Sequence, residues 1–114
     1  MNNKKIELEI EKYRDCLFIV EGIKDKKALE SFGLMNIFVL NKNSKSLLEK
    51  VEEIEEIGKN KKICILTDFD KEGKKLYLEL KSELARRNVK LDSSFRSFLL
   101  DLKINHIEDL KNEN

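Results

Sequence analysis

Uninterrupted apolar runs alternate along this chain with stretches in which apolar side chains return every third or fourth position. The first pattern reads as strands buried on both faces, the second as amphipathic helices. Ile6, Ile10 and Tyr13 predict an opening helix over residues 3–14. Residues 16–20 predict a buried strand that ends at Glu21-Gly22. Asp25 begins a short helix carrying Ala28, Leu29 and Phe32, with Gly33 placed to end it. A second strand covers 36–40, and the polar stretch 41–44 leads to a helix. That helix sets Leu47, Leu48, Val51, Ile54 and Ile57 on one face and stops at Gly58. The third strand runs over 62–67. After Gly73 a long helix buries Leu76, Leu80 and Leu84 together with Tyr77, ending near Asn88. Residues 89–91 form a short fourth strand, and Ser93 or Ser94 caps a helix facing the core with Phe95, Phe98, Leu99 and Leu102. A last helical turn or two falls within 104–110.

Strands that are apolar throughout and alternate with helices indicate an α/β architecture. The expectation is three layers, with a four-stranded, mainly parallel sheet covered on both faces. In such sheets ligands bind beyond the carboxyl ends of the strands. A chain of 114 residues is long enough for one core and too short for two, so a single domain over 1–114 is expected. Charged residues at 39% and apolar ones at 40% exclude a disordered chain. The net charge of +1 announces no global attraction to nucleic acid, so any such signal is local. The first ten residues are polar and no long apolar run follows, which predicts a cytoplasmic protein without a membrane span. Cys16 and Cys64 lie in apolar runs without a CxxC partner and read as buried reduced thiols.

The chemistry gathers at the end of the third strand. In Ile63-Cys64-Ile65-Leu66-Thr67-Asp68-Phe69-Asp70-Lys71-Glu72-Gly73 an apolar strand empties into acids at alternate positions. Two carboxylates about 4 Å apart repel by about 4 kcal/mol at an effective dielectric of about 20. A bound divalent cation removes that cost, and oxygen ligands suit Mg²⁺ or Mn²⁺. Asp68 and Asp70 are the expected metal ligands. Glu21, which closes the first strand, is expected beside them as a further ligand or as a general acid or base, with Glu72 as a supporting acid. Gly22 and Gly73 would let backbone approach a phosphate closely. Lys24, Lys71 and Lys74 read either as phosphate contacts or as solvated charge. The stretch holding Arg86, Arg87, Lys90, Arg96 and Lys103 reads either as a plain basic surface or as a track for a phosphate backbone, with Arg96 the expected contact. His106, the only histidine, stands far along the chain and takes no part in this expectation.

Two of these segments resemble a known family. Val20-Glu21-Gly22-Ile23-Lys24-Asp25-Lys26-Lys27-Ala28-Leu29 is similar to the first motif of the Toprim domain, and Asp68-Phe69-Asp70-Lys71-Glu72-Gly73 to its DxDxE motif. The domain is shared by type IA and type II topoisomerases, bacterial primases, overcoming-lysogenization-defect nucleases, recombination proteins and a ribosomal-RNA-maturing ribonuclease. The chain most resembles the small stand-alone Toprim proteins of archaea. The resemblance implies a Rossmann-like Toprim fold, Glu21 as the acid/base glutamate, Asp68 and Asp70 as magnesium ligands and Glu72 as a third acid. Asp25 matches an acid frequent in the primase and maturase branches. Lys71 and Lys74 depart from the topoisomerase pattern, which carries Arg and Glu there. Strand passage and complete primase activity are not expected of this chain acting alone. The resemblance implies Mg²⁺-dependent phosphoryl transfer on RNA or DNA, nucleolytic in kind. The alternative is a module that binds metal, nucleic acid or protein without turnover, working with a partner that supplies recognition.

Overall fold

The computed structural model describes residues 3–110. The helix α1 (Asn3–Ile10) passes into a 3-10 turn, Glu11–Tyr13, so the expected single helix over 3–14 is a helix with a tightened end. Then follow β1 (Leu17–Val20), α2 (Ile23–Glu30), β2 (Ile37–Val39), α3 (Leu47–Ile57), β3 (Lys62–Ile65), α4 (Lys71–Ala85), β4 (Lys90–Leu91) and α5 (Ser94–Asp101). Short 3-10 turns stand at Leu40–Lys42 and Ile107–Asp109. No described helix is long and apolar enough to cross a membrane.

The strands lie in the order β2-β1-β3-β4, and every pairing is parallel. Side chains alternate across such a sheet, and this alternation divides the core in two. Phe18, Val20, Cys64 and Leu66 point to one face, where they meet Ile6 and Ile10 of α1, Leu29 of α2, and Phe95 and Leu99 of α5. Leu17, Ile19, Ile63 and Ile65 point to the other, against Val51 and Ile54 of α3 and Leu80 and Leu84 of α4. Burying each such side chain contributes about 1.5–3 kcal/mol, so the two apolar layers hold the sheet between them. Cys16 and Cys64 are buried free thiols.

Local chemistry sets the helix ends. Ser46 Oγ accepts from Glu49 N–H at 3.2 Å while the Glu49 carboxylate accepts from Ser46 N–H, a reciprocal cap that starts α3. Gly33 ends the turn after α2 with φ +86°, a conformation that costs a side-chain-bearing residue energy. Two details differ from the sequence reading. Leu48 and Ile57 are about half exposed, because an eleven-residue helix on a sheet buries a narrower arc than the apolar positions span. Ser93 makes no side-chain cap; Asp92 Oδ1 accepts from Ser94 N–H at 2.8 Å instead.

Candidate metal centre

Because β1 and β3 are neighbours (Ile19 is paired with Ile65), the residues that follow them emerge together at the carboxyl edge. Leu66 and Thr67 stay fully buried, and the chain turns outward only at Asp68. There Asp68 N–H donates to Glu21 Oε2 at 2.8 Å, which joins the ends of the two strands directly.

Each acid of the edge is anchored through one oxygen. Glu21 Oε2 takes the Asp68 N–H. Asp68 Oδ1 accepts from Ile107 N–H at 2.9 Å. Asp70 Oδ1 accepts from Gly73 N–H at 2.8 Å and so caps α4. The second oxygen of Asp68 is left over, and that of Asp70 faces the ring of His106. Burial pushes Glu21 above the ordinary carboxylate range; the Asp68 N–H opposes this, and the charges of Asp68, Asp25 and Asp70 add to the rise. Asp25, buried in the first turn of α2, accepts from Gly22 N–H at 2.9 Å. Its pKa is also raised by burial, with the Gly22 bond opposing and the Asp68 and Glu108 charges adding.

The loop between β3 and α4 is locked from below. Thr67 Oγ donates to Gly73 C=O at 2.7 Å. A Cβ on Gly73 would lie 2.1 Å from the Asp68 carbonyl oxygen. The glycine therefore permits a close approach, and the partner in the structure is the Asp68 carbonyl.

Arg96 is also placed differently from its expected phosphate contact. It is buried, and its guanidinium donates to the carbonyls of Thr67 at 2.7 Å, Ile65 at 3.3 Å and Asp68 at 3.3 Å. The rings of Phe69 and Tyr77 lie 4.5 and 4.2 Å from the guanidinium carbon. Burial lowers its pKa, although the nearby negative groups, Asp68 and Glu21 among them, oppose that shift. The side chain holds the loop that carries the acids and turns away from solvent.

The remaining expected residues lie around this edge. Glu72 is exposed in the first turn of α4, as are Lys71 and Lys74. Gly22 is the N-cap of α2, and Lys24 helps line an open depression of about 480 Å³ beside Lys27, Glu108 and Asp109.

One residue of the site escaped the sequence reading. His106 Nε2 lies 3.5 Å from Asp70 Oδ2. Among the described residues, Asp68, Asp70 and His106 form a group whose potential ligand atoms all fall within 4.8 Å of one another. Glu21 and Glu72 are outside that group. Two anchored carboxylates with outward oxygens and an imidazole make a donor set that fits a divalent cation. No spacing rule links position 106 to position 70; only the fold does.

An acid-lined carboxyl edge on an all-parallel, two-sided sheet defines an α/β domain with a candidate metal-binding group. Residues 16–97 match the family model of the Toprim domain, and the chain belongs to that family. Toprim domains bind divalent metal ions and are associated with nucleic-acid-related functions. The chain is 27% identical over 93 residues to the UPF0292 protein MJ1624 of Methanocaldococcus jannaschii, covering 82% of this chain and 71% of that protein. It also resembles the solved structure of a protein from Aquifex aeolicus, with a TM-score of 0.79 and 33% identity, over 95% of this chain and 97% of the other.

Proposed function

We propose that this protein carries out divalent-metal-dependent phosphoryl transfer on nucleic acid, as a nuclease that cleaves RNA or DNA phosphodiesters. The observation that supports this best is the anchored acid cluster, in which Glu21 binds the Asp68 backbone while Asp68 and Asp70 are each held by a backbone N–H through one oxygen only. Asp68 and Asp70 would hold a Mg²⁺ or Mn²⁺ ion, which when bound supplies positive charge against the reacting phosphate. Glu21, with its pKa raised by burial, holds a proton at higher pH than a solvated glutamate and is the acid/base group of the site. Lys24, Lys71 and Lys74 offer exposed positive charge for the flanking phosphates, and Glu72 supports the site from the first turn of α4.

Labelled single- and double-stranded RNA and DNA incubated with Mg²⁺ or Mn²⁺ provide the test. Glu21→Gln is expected to slow cleavage by about 10²–10⁴-fold, the usual contribution of a positioned acid or base. Asp70→Asn, which retains an oxygen to cap α4, is expected to remove metal-dependent cleavage altogether. Cleavage by Glu21→Gln at the parent's rate would overturn the assignment. One observation favours a second reading, binding without turnover: Arg96 is turned inward, so the exposed cations nearest the acids are lysines. Nucleic acid retained at low salt and released steeply as salt rises, with no product, would support it.

A further inference from the structure

We propose that His106 completes the metal site as a nitrogen donor, so that the site prefers a first-row transition-metal dication to Mg²⁺. This rests on the reading of Asp68 and Asp70 as metal ligands. Mg²⁺ seeks oxygen and keeps much of its water, whereas imidazole suits transition-metal ions. A nitrogen among the ligands therefore shifts the choice of ion.

The main chain on both sides of His106 is held in place. Phe69 N–H donates to Asn105 C=O at 2.9 Å, and Ile107 N–H donates to Asp68 Oδ1 at 2.9 Å. The residues on either side of His106 are thus tied to the loop that carries the acids. Ile104 and Ile107 are buried in the core, which fixes the same segment from below. The ring's two nitrogens face different partners: Nε2 lies 3.5 Å from Asp70 Oδ2, and Nδ1 lies 3.9 Å from Asp109 Oδ2. Metal-ligating histidines usually turn the second nitrogen to a carboxylate or carbonyl, which orients the ring. Asp109 stands on that side of the ring, 3.9 Å from Nδ1 and beyond direct hydrogen-bond reach. An imidazole that only paired with two carboxylates at the surface would need no such main-chain clamp.

Since the sequence holds a single histidine, its imidazole ¹⁵N spectrum in a tag-free chain is unambiguous. Zn²⁺ serves as the diamagnetic probe, and calorimetric titrations with Co²⁺ and Mg²⁺ give the preference. The expected result is a Zn²⁺-induced shift of Nε2 with Nδ1 still protonated. Co²⁺ should bind at least about tenfold tighter than Mg²⁺, and His106→Ala should lower Co²⁺ affinity by about tenfold or more while changing Mg²⁺ affinity less than about threefold. His106→Gln, which keeps a polar side chain there, should likewise erase the preference. Metal binding that Asp68→Asn abolishes but that leaves Nε2 unmoved and is indifferent to His106→Ala would overturn this inference and leave the acid site standing. A Zn²⁺ shift that persists in Asp68→Asn/Asp70→Asn would place the ion on His106 and Asp109 alone and would also overturn it. Failure of every ion to bind the parent would overturn the metal-ligand reading itself.

Discussion

Replacing Arg96 by alanine gives the sharpest test of how the site is supported. The substitution removes one short charge-assisted hydrogen bond, to Thr67 C=O at 2.7 Å, and two longer ones to Ile65 and Asp68. Hydrogen bonds from a charged donor contribute about 1.5–3 kcal/mol, and stranded buried carbonyls add about 1–3 kcal/mol. The stacked contacts with Phe69 and Tyr77 add about 0.5–2 kcal/mol each where solvent is excluded. Against these stands the several kcal/mol spent in burying the guanidinium, which the variant recovers. The balance favours the native arginine by about 3 kcal/mol, within the range for mutations that break a buried polar network. For a chain of this size that lowers Tm by about 12 °C. Urea unfolding followed by far-ultraviolet circular dichroism measures the loss as a shift in midpoint at constant slope. Arg96→Lys keeps the charge but loses the planar fork, so it should fall between the parent and alanine. If Arg96→Ala lies within about 0.5 kcal/mol of the parent, or Arg96→Lys equals it, the account fails. An arginine that instead served nucleic acid from the surface would leave the midpoint in place and lower only the salt dependence of binding.

Two further substitutions probe the same edge. Gly73→Ala in a helix would ordinarily gain stability, but the added methyl meets the Asp68 carbonyl at 2.1 Å, so it should cost about 1–3 kcal/mol and weaken metal binding. Gly22→Ala, with Asp25 Oδ2 no nearer than 3.9 Å, should leave both in place; equal calorimetric behaviour of the two variants would refute this. Asp25 has its pKa raised, so the folded state binds its proton more tightly than the unfolded state, and its contribution to stability falls as pH rises from the ordinary value of 3.8 to the raised one. Asp25→Asn should therefore gain on the parent across that interval and run parallel to it above; a gap independent of pH in denaturation curves would contradict it.

The strands were legible because parallel strands covered on both faces cannot tolerate polar residues: Phe18, Ile19, Cys64 and Ile65 have no alternative to the core. Glu21, Asp68 and Asp70 were legible for the converse reason, as acids placed where those runs end. Arg96 was misread because neighbouring Arg86, Arg87 and Lys90 suggested one basic surface. The signal lay in the helix phase, since Phe95, Arg96 and Leu99 form one buried arc of α5. Gly73 was recognised as a close-approach residue, but which atom approaches is a tertiary fact. His106 could not be found at all, because the main-chain bonds of Asn105 and Ile107 that bring it to Asp70 carry no side-chain signature of their own.

The family match ends at residue 97, yet the acids are fastened to a segment beyond it through Asn105 and Ile107. That segment is itself part of the core, through Leu99, Ile104, Ile107 and Leu110. Residues beyond the match therefore serve two ends at once, filling one apolar layer and holding the loop that carries Asp68. Exchanging residues 98–110 between relatives would therefore disturb that layer as well as what stands beside Asp70. Change at this centre that leaves the core intact is thus confined to the exposed positions of the segment, His106 and Asp109 among them.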